Sequence, residues 1–403
     1  MKLLFSSLFL PSEQDGLSYS TRHLVKEFIA KGTDVTVYTT NWRWNSSDIS
    51  RFKSDKLQIH AAHFNNSFDL SFGAILTFWR TVRNFDLVHF NSIYSVSTAV
   101  GALLCRAFRV PYTISPSGNF LPSIDPEDNR GISGAAKKRL FFKLLAKEAL
   151  KKASMIICQS QSEMEVFRKR TSLHNVTIIP NGLDPSTYLE VVDPSIIDQK
   201  LGFGRRKNMC LFLGRFSEEK ALPFLLEAWA LVIKRQPDAT LVLAGPCDGG
   251  FHARLKGYVE KLPDQASVVF PGAVSGDLKI ALLQNCKCLL LPSYFESFGN
   301  VVLEALASGR PVIASAGTPW QSLESYRLGK WIKWEKEIWA NAILELMSDD
   351  YYNTQTFRNY SRQWVADNFE WDHIADQYLR LYSNTLMGDR RALHKSIADH
   401  TSG

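Results

Sequence analysis

The chain has 403 residues, 45% hydrophobic and 22% charged, with a formal net charge of +7 and an isoelectric point near 9.0. This composition excludes a disordered or fibrous chain, and the length exceeds the roughly 250 to 300 residues at which a single core stops growing, so two domains are expected. No apolar run approaches the roughly 18 to 20 residues that a bilayer crossing needs, Phe72 to Trp79 being far too short, so the chain is not expected to span a membrane.

Met1 to Leu10 mimics a secretory signal, but it has no small-residue cleavage site and runs into Pro11, Glu13 and Asp15, so it reads as a first buried strand near 2–9. Strands follow near 34–40, 86–90, 112–116 and 154–158, with helices near 18–31, 93–107 and 135–152 between them, which is a parallel α/β half. Residues 137–153 carry seven cations against one carboxylate, with Lys143, Lys147 and Lys151 at i, i+4 spacing, and form a basic amphipathic helix. The same pattern suits an anionic membrane surface, where each cation contributes about 1 kcal/mol, or a covering helix that packs Leu140, Phe141, Leu144 and Leu145 on the first sheet.

Asp184 to Lys207 is polar, contains Pro185 and Pro194, and reads as a hinge region. A second α/β half follows, with strands near 209–214, 240–245, 267–270, 286–291 and 312–315 and helices near 221–236, 250–262, 276–284 and 300–308. A closing helix with apolar residues at helical spacing begins at Trp371, and beyond Met387 the sequence turns polar and is expected to fray.

The six cysteines have no paired spacing, and Cys286 and Cys288 within an apolar strand read as buried thiols of a reducing compartment and not as a zinc pair. His373, His394 and His400 lack metal-ligand partners in the sequence. Nucleic acid is discounted as a partner of this basic chain, because the charge is concentrated neither in a tail nor in an aromatic-interleaved face.

The densest chemistry lies in Ser293-Tyr-Phe-Glu296-Ser-Phe-Gly299-Asn-Val-Val-Leu-Glu304. An apolar strand feeds a glycine-containing helix start, whose unpaired N–H groups and positive dipole end favour an anion, so Ser297, Phe298, Gly299 and Asn300 suit a diphosphate. On one continuous helix, Glu296 and Glu304 would stand about 12 Å apart. Glycosidase carboxylates stand only about 5 to 9.5 Å apart, so a hydrolase dyad fits poorly. One carboxylate on ribose hydroxyls and the other beside a transferred sugar fits better. Gly214, Arg215 and Lys220 follow a strand of the same half, as does Gly245, and in an open parallel sheet such loops line one crevice. Two cations there would neutralise a departing pyrophosphate. Taken singly, Arg215 and Lys220 are ordinary surface charges, Glu304 an ordinary helix glutamate and Asn181-Gly182 an ordinary turn. Their joint occurrence after the proper strands points to a site.

These segments resemble the retaining glycosyltransferases of family 4, which have the GT-B fold of two Rossmann-like parallel α/β domains. Glu296-x7-Glu304 is similar to the family's paired glutamates, Gly214-Arg215 to Lys220 to its Gly-Arg-x4-Lys loop, and Pro180-Asn181-Gly182-Leu-Asp184 to the element that closes its N-terminal half. Gly317-Thr-Pro-Trp-Gln-Ser-Leu resembles a variant among surface-polysaccharide enzymes. The resemblance implies an acceptor-binding domain over 1–188, with 371–386 packed back on it, and a donor-binding domain over 189–370. It also implies catalysis by Glu296, Arg215 and Lys220 without a metal or other cofactor, with Glu304 on the donor ribose.

Three departures stand out. The acceptor-side loop, where many members carry histidine, reads Ser117-Gly118-Asn119; the glycine after the loop lysine is Ala221; and the first glycine pair is reduced to Asp15-Gly16. The expected function is transfer of a hexosyl group from a nucleoside-diphosphate sugar to a hydroxyl of a lipid-linked surface glycan such as lipopolysaccharide, O-antigen or capsule. The expected location is the cytoplasm, at the inner face of the membrane. The alternatives are a sugar-nucleotide epimerase, a sucrose- or trehalose-type synthase, and a catalytically weak nucleotide-binding assembly partner.

Overall fold

The computed structural model describes residues 1–7, 16–40, 56–62, 72–93, 96–118, 146–202, 208–247 and 249–401. The chain divides into two compact units: the first ends at Gly182 and resumes at Trp371, and the second is Leu183–Glu370. Position 188 falls within the second unit because Tyr188 is buried there, its carbonyl accepting a hydrogen bond from Gln284 Nε2 at 3.2 Å.

In the first unit, β1 (Lys2–Ser6), β2 (Asp34–Thr40), β3 (Leu57–Ala62), β4 (Leu87–Asn91), β5 (Tyr112–Ser115), β6 (Met155–Cys158) and β7 (Val176–Ile178) pair in parallel in the order β3-β2-β1-β4-β5-β6-β7. Helices α1 (Gly16–Ala30), α2 (Phe72–Thr81), α3 (Val96–Ala107), α4 (Lys147–Lys152) and α5 (Gln161–Thr171) connect them. A parallel strand covered on both faces is apolar throughout, and its alternation sends neighbouring side chains into different layers. Leu3 and Phe5 join Phe28, Trp371, Tyr378 and Tyr382 on one side, while Leu4 joins Phe90, Ile114, Leu150 and Phe167 on the other.

Strands β3 and β7 did not figure in the expected pattern. Both are sheet edges: β3 alternates in polar residues such as Gln58 and His60, and β7 has only three residues. In α4, Ala149 and Leu150 are buried while Lys147, Lys151 and Lys152 are exposed. Residues 137–145 of the basic segment, including Leu140, Phe141, Leu144 and Leu145, lie outside the described residues.

In the second unit, β8 (Asn208–Leu213), β9 (Ala239–Ala244), β10 (Val268–Gly272), β11 (Cys288–Leu291), β12 (Val312–Ser315) and β13 (Gly329–Ile332) pair in parallel in the order β10-β9-β8-β11-β12-β13. Its helices are α6 (Ser195–Leu201), α7 (Leu222–Arg235), α8 (Gly249–Val259), α9 (Gly276–Asn285), α10 (Asn300–Ala307), α11 (Ser322–Ser325), α12 (Lys336–Ser348) and α13 (Gln355–Phe369). The strand expected from Cys286 starts two residues later, because the Cys286 amide still bonds Leu282 at 3.0 Å and closes α9. None of the six cysteines is in a disulfide, and Cys210 and Cys288 face each other across β8 and β11 with sulfurs 3.6 Å apart.

Helix α14 (Trp371–Thr401) belongs to the first unit. It continues past Met387, where fraying was expected, with Gly388 inside it and no proline from there to Thr401. No helix among the described residues is long and apolar enough to cross a membrane.

Candidate active site

The strand order of the second sheet reverses between β8 and β11, because the chain winds outward through β9 and β10 on one side and through β12 and β13 on the other. Loops leaving the carboxyl ends of the two strands at such a reversal diverge and leave a crevice for a ligand. Gly214 to Lys220 follows β8, and Ser293 to Gly299 follows β11.

The first loop is anchored by backbone: Gly214 N donates to Ala244 O at 3.0 Å and Phe216 N to Pro246 O at 2.9 Å. It passes so close to the loop after β9 that a Cβ on Gly245, whose φ is +153°, would lie 1.8 Å from the Gly214 carbonyl oxygen. Arg215 extends outward, its side chain 71% exposed, and pairs with Glu219 at 3.2 Å. Glu218–Lys220 is one 3-10 turn ended by Ala221 at φ 49°, a left-handed position that glycine takes without penalty and that costs an alanine roughly 1 to 2 kcal/mol. The backbone at this position therefore accounts for a glycine being usual there, and Ala221 adopts the same conformation.

Lys220 and Glu296 meet at 2.5 Å between Nζ and Oε1, with side chains only 18% and 11% exposed. Ser293 Oγ donates to the same carboxylate oxygen at 2.8 Å, and Tyr294 N donates to Glu219 O at 2.8 Å, so the two loops are tied by side chain and backbone. The loop after β11 is held from beneath by two indoles: Trp334 Nε1 donates to Pro292 O at 2.9 Å and Trp320 Nε1 to Phe298 O at 2.5 Å. Buried Phe298 packs on Trp320 with centroids 5.1 Å apart.

Gly299 turns the chain at φ +87°, where a Cβ would stand 3.3 Å from both Leu291 and Trp320. The helix then begins at Asn300, so Glu296 lies in the loop and the spacing of one continuous helix does not apply. Ser297 and Asn300 are half-buried beside it. Glu304 lies within α10, 7% exposed; its Oε1 accepts from Lys279 Nζ at 2.8 Å, and its buried Oε2 has no hydrogen-bond partner among the described residues.

Unit one carries the other expected residues. Gly16 opens α1. Ser117, at φ 50°, donates its hydroxyl to Asn91 Oδ1 at 2.6 Å, and Asn91 Nδ2 donates to Thr21 Oγ1 at 3.2 Å. Gly118 N donates to Glu163 Oε1 at 2.5 Å, and Gln159 N to Glu163 Oε2 at 2.7 Å. Asn119 lies outside the described residues. Asn181 Oδ1 accepts from Gln159 Nε2 at 2.9 Å, whereas Asp184, already in the second unit, caps the 3-10 turn that follows it through Ser186 N at 3.0 Å.

Glu163 and Lys279 were missed from sequence. Burial raises the Glu163 carboxyl above its usual range, opposed by the Gln159 and Gly118 amides. A signal for it existed: Ser160-Gln-Ser-Glu163 is a capping box, with Ser160 Oγ accepting the Glu163 amide at 3.2 Å. The glutamate, however, reaches Gly118 across the sheet end. Lys279 belongs to no local pattern. Among the described residues no group of three His, Cys, Asp or Glu could hold a metal ion.

A family model described as Glycosyltransferase Family 4 matches residues 14–187, and one described as Glycosyl transferases group 1 matches residues 194–364. D-inositol 3-phosphate glycosyltransferase of Rhodococcus jostii is 31% identical over 217 residues, 52% of this chain and 47% of that protein. Alpha-monoglucosyldiacylglycerol synthase of Streptococcus pneumoniae is 24% identical over 377 residues, 91% of this chain and 82% of that protein. The match thus spans about half the length of the first two curated relatives, at 53% and 47%, and most of the third. Among solved structures, Anabaena HepE in complex with UDP and glucose aligns with a TM-score of 0.73 at 19% identity over 95% of this chain and 100% of that one, a likeness of fold.

Proposed function

This chain belongs to the family 4 glycosyltransferases of GT-B fold, and from that premise we propose that it transfers a hexosyl group from a nucleoside-diphosphate sugar to a hydroxyl of a lipid-linked surface glycan. The observation that carries the reading is the tie between Lys220, Glu296 and Ser293 at the mouth of the β8–β11 reversal, beside a helix start and a half-satisfied Glu304. Asn300 and its neighbours at the amino end of α10 suit the diphosphate, and Arg215 is exposed enough to reach it. Lys220 and Arg215 would hold the leaving group as charge grows on it, which is why the reading needs no metal ion and no cofactor beyond the donor. Glu296, fixed by two donors, would orient the sugar. Retention with front-face attack is part of this proposal, drawn from the resemblance to the family.

A lipid-linked acceptor is favoured by the relative from Streptococcus pneumoniae, whose name places it on a diacylglycerol glycolipid. The exposed cations Lys147, Lys151 and Lys152 over buried Leu150 support contact with an anionic membrane surface at the cytoplasmic face. A soluble phosphorylated polyol is the second acceptor reading, favoured by the relative from Rhodococcus jostii.

The test is a thermal-shift screen with UDP, GDP, ADP and their sugars, followed by an assay for slow sugar release from the donor that binds. A ligand at 100 times its dissociation constant adds about 2.7 kcal/mol of stability. If none of the nucleotides shifts the transition, the donor reading fails. If wild type and Glu296→Ala are equally inert with the bound donor, a binding role without catalysis replaces it.

A further inference from the structure

Glu304 is an incompletely paired buried carboxylate beside the candidate site. It lies in α10, its side chain 7% exposed, and its two oxygens are treated differently. Oε1 receives Lys279 Nζ at 2.8 Å, whereas Oε2 is buried with no hydrogen-bond donor among the described residues. A buried carboxylate oxygen left without a donor is costly, and such a group in a native fold calls for an explanation such as a ligand that supplies the donor. Four residues separate Glu304 from Asn300 at the start of α10, about 6 Å along the helix axis. A diphosphate against the amino end of α10 would leave the rest of its nucleotide about one helical turn from Glu304.

The lysine comes from elsewhere. Lys279 lies in the first turn of α9, 25 residues before Glu304, and its own side chain is 23% exposed. An unrestrained glutamate rotates broadly about its last torsion, so either oxygen could face the ligand. An ammonium on one oxygen removes that freedom and leaves the other as the acceptor. We propose that Lys279 is a positioning residue that holds Glu304 by Oε1 so that Oε2 is presented to the vicinal hydroxyls of the donor's ribose. This deepens the donor-site reading above and rests on it.

The experiment compares binding of the nucleoside diphosphate that the wild type prefers among UDP, GDP and ADP with binding of its 2′,3′-dideoxy counterpart, by isothermal titration calorimetry. Wild type is expected to favour the ribose form by about 10-fold or more, the range of a hydrogen bond to a charged group. Lys279→Met is expected to bring that ratio to within about 3-fold while leaving the dideoxy affinity unchanged, and Lys279→Arg to restore most of it. Glu304→Gln should lower the ratio with Lys279 still present. Lys279→Gln serves as a second neutral variant should the methionine fail to fold, with far-UV circular dichroism as the check.

The inference is overturned if Lys279→Met or Lys279→Gln keeps the full ratio, or weakens ribose and dideoxy forms equally, as a purely structural or phosphate-contacting lysine would. A wild type that binds nucleoside diphosphates with no preference for ribose removes Glu304 from the donor and this inference with it. A wild type that binds none of the nucleotides overturns the donor reading itself.

Discussion

Gly245 and Gly214 stand back to back, so close that a Cβ on Gly245 would lie 1.8 Å from the Gly214 carbonyl oxygen. The loops after β8 and β9 can approach this way only while position 245 has no side chain, and the approach sets the course of the segment carrying Arg215 and Lys220. Gly245→Ala should destabilise the second unit by about 2 kcal/mol or more, through both the clash and the positive φ. Gly257→Ala, within α8 with nothing within 4 Å of its Cβ, should be neutral or gain up to about 1 kcal/mol. Urea unfolding followed in both variants checks the pair, and an unaltered midpoint in Gly245→Ala would show that the loops separate at no cost.

Among the described residues, Lys220 and Ser293 are the partners of the bonded oxygen of Glu296. Lys220→Ala should cut donor turnover by on the order of 100-fold, as the loss of one preorganised charge does elsewhere. Glu296→Gln should cost a similar factor, and the double variant far less than the product of the two, because residues acting as a unit are not additive. Single-turnover rates for the four proteins give the coupling. Multiplicative losses would mean that the two act separately.

His89 is fully buried between Phe5, Thr113 and Tyr382, with Nδ1 2.9 Å from Thr113 Oγ1 and 3.1 Å from Tyr382 OH. Burial lowers its pKa from 6.5 to about 3, so the fold holds the ring neutral. Between those values the unfolded chain binds the extra proton. The stability His89 contributes is thus complete above pH 6.5 and is lost as the pH falls towards 3, by at most about 1.4 kcal/mol per pH unit. His89→Phe should be the less stable protein at pH 7, with the gap to wild type narrowing as the pH drops to 4. Chemical unfolding at a series of pH values reads this directly, and parallel curves would contradict it.

Trp371 opens α14, buried to 3% and stacked on His23 at a centroid distance of 5.9 Å. Trp371→Ala should cost about 3 to 5 kcal/mol, as truncation of a large buried aromatic does. The loss should appear in the transition of the first unit, read by proteolysis at sites before Gly182, while the second unit keeps its own transition.

The paired sheets and the main site loops were legible in the sequence because buried parallel strands write continuous apolar runs, as in Met209 to Leu213, and because Gly299, Gly245 and the Gly214-Arg215 step mark backbone turns. What was not legible depends on long-range contact. Edge strands β3 and β7 carry too little apolar signal to stand out, and the Lys279–Glu304 pair joins two helices with no motif between them. Likewise Lys220 and Glu296 were each recognisable, but their direct contact across 76 residues was not.

Helix α14 supplies Trp371, Ile374, Ala375, Tyr378 and Tyr382 to a core whose other members, among them Leu3, Phe28 and Val37, are synthesised long before it. Domains usually fold as they leave the ribosome, amino end first. Here α1 can cover that face of the first sheet only in part, through Leu24, Val25 and Phe28, until the segment beginning at Trp371 has been made. Holding that nascent face apart from other chains is therefore a task for the cell before the protein can do any chemistry.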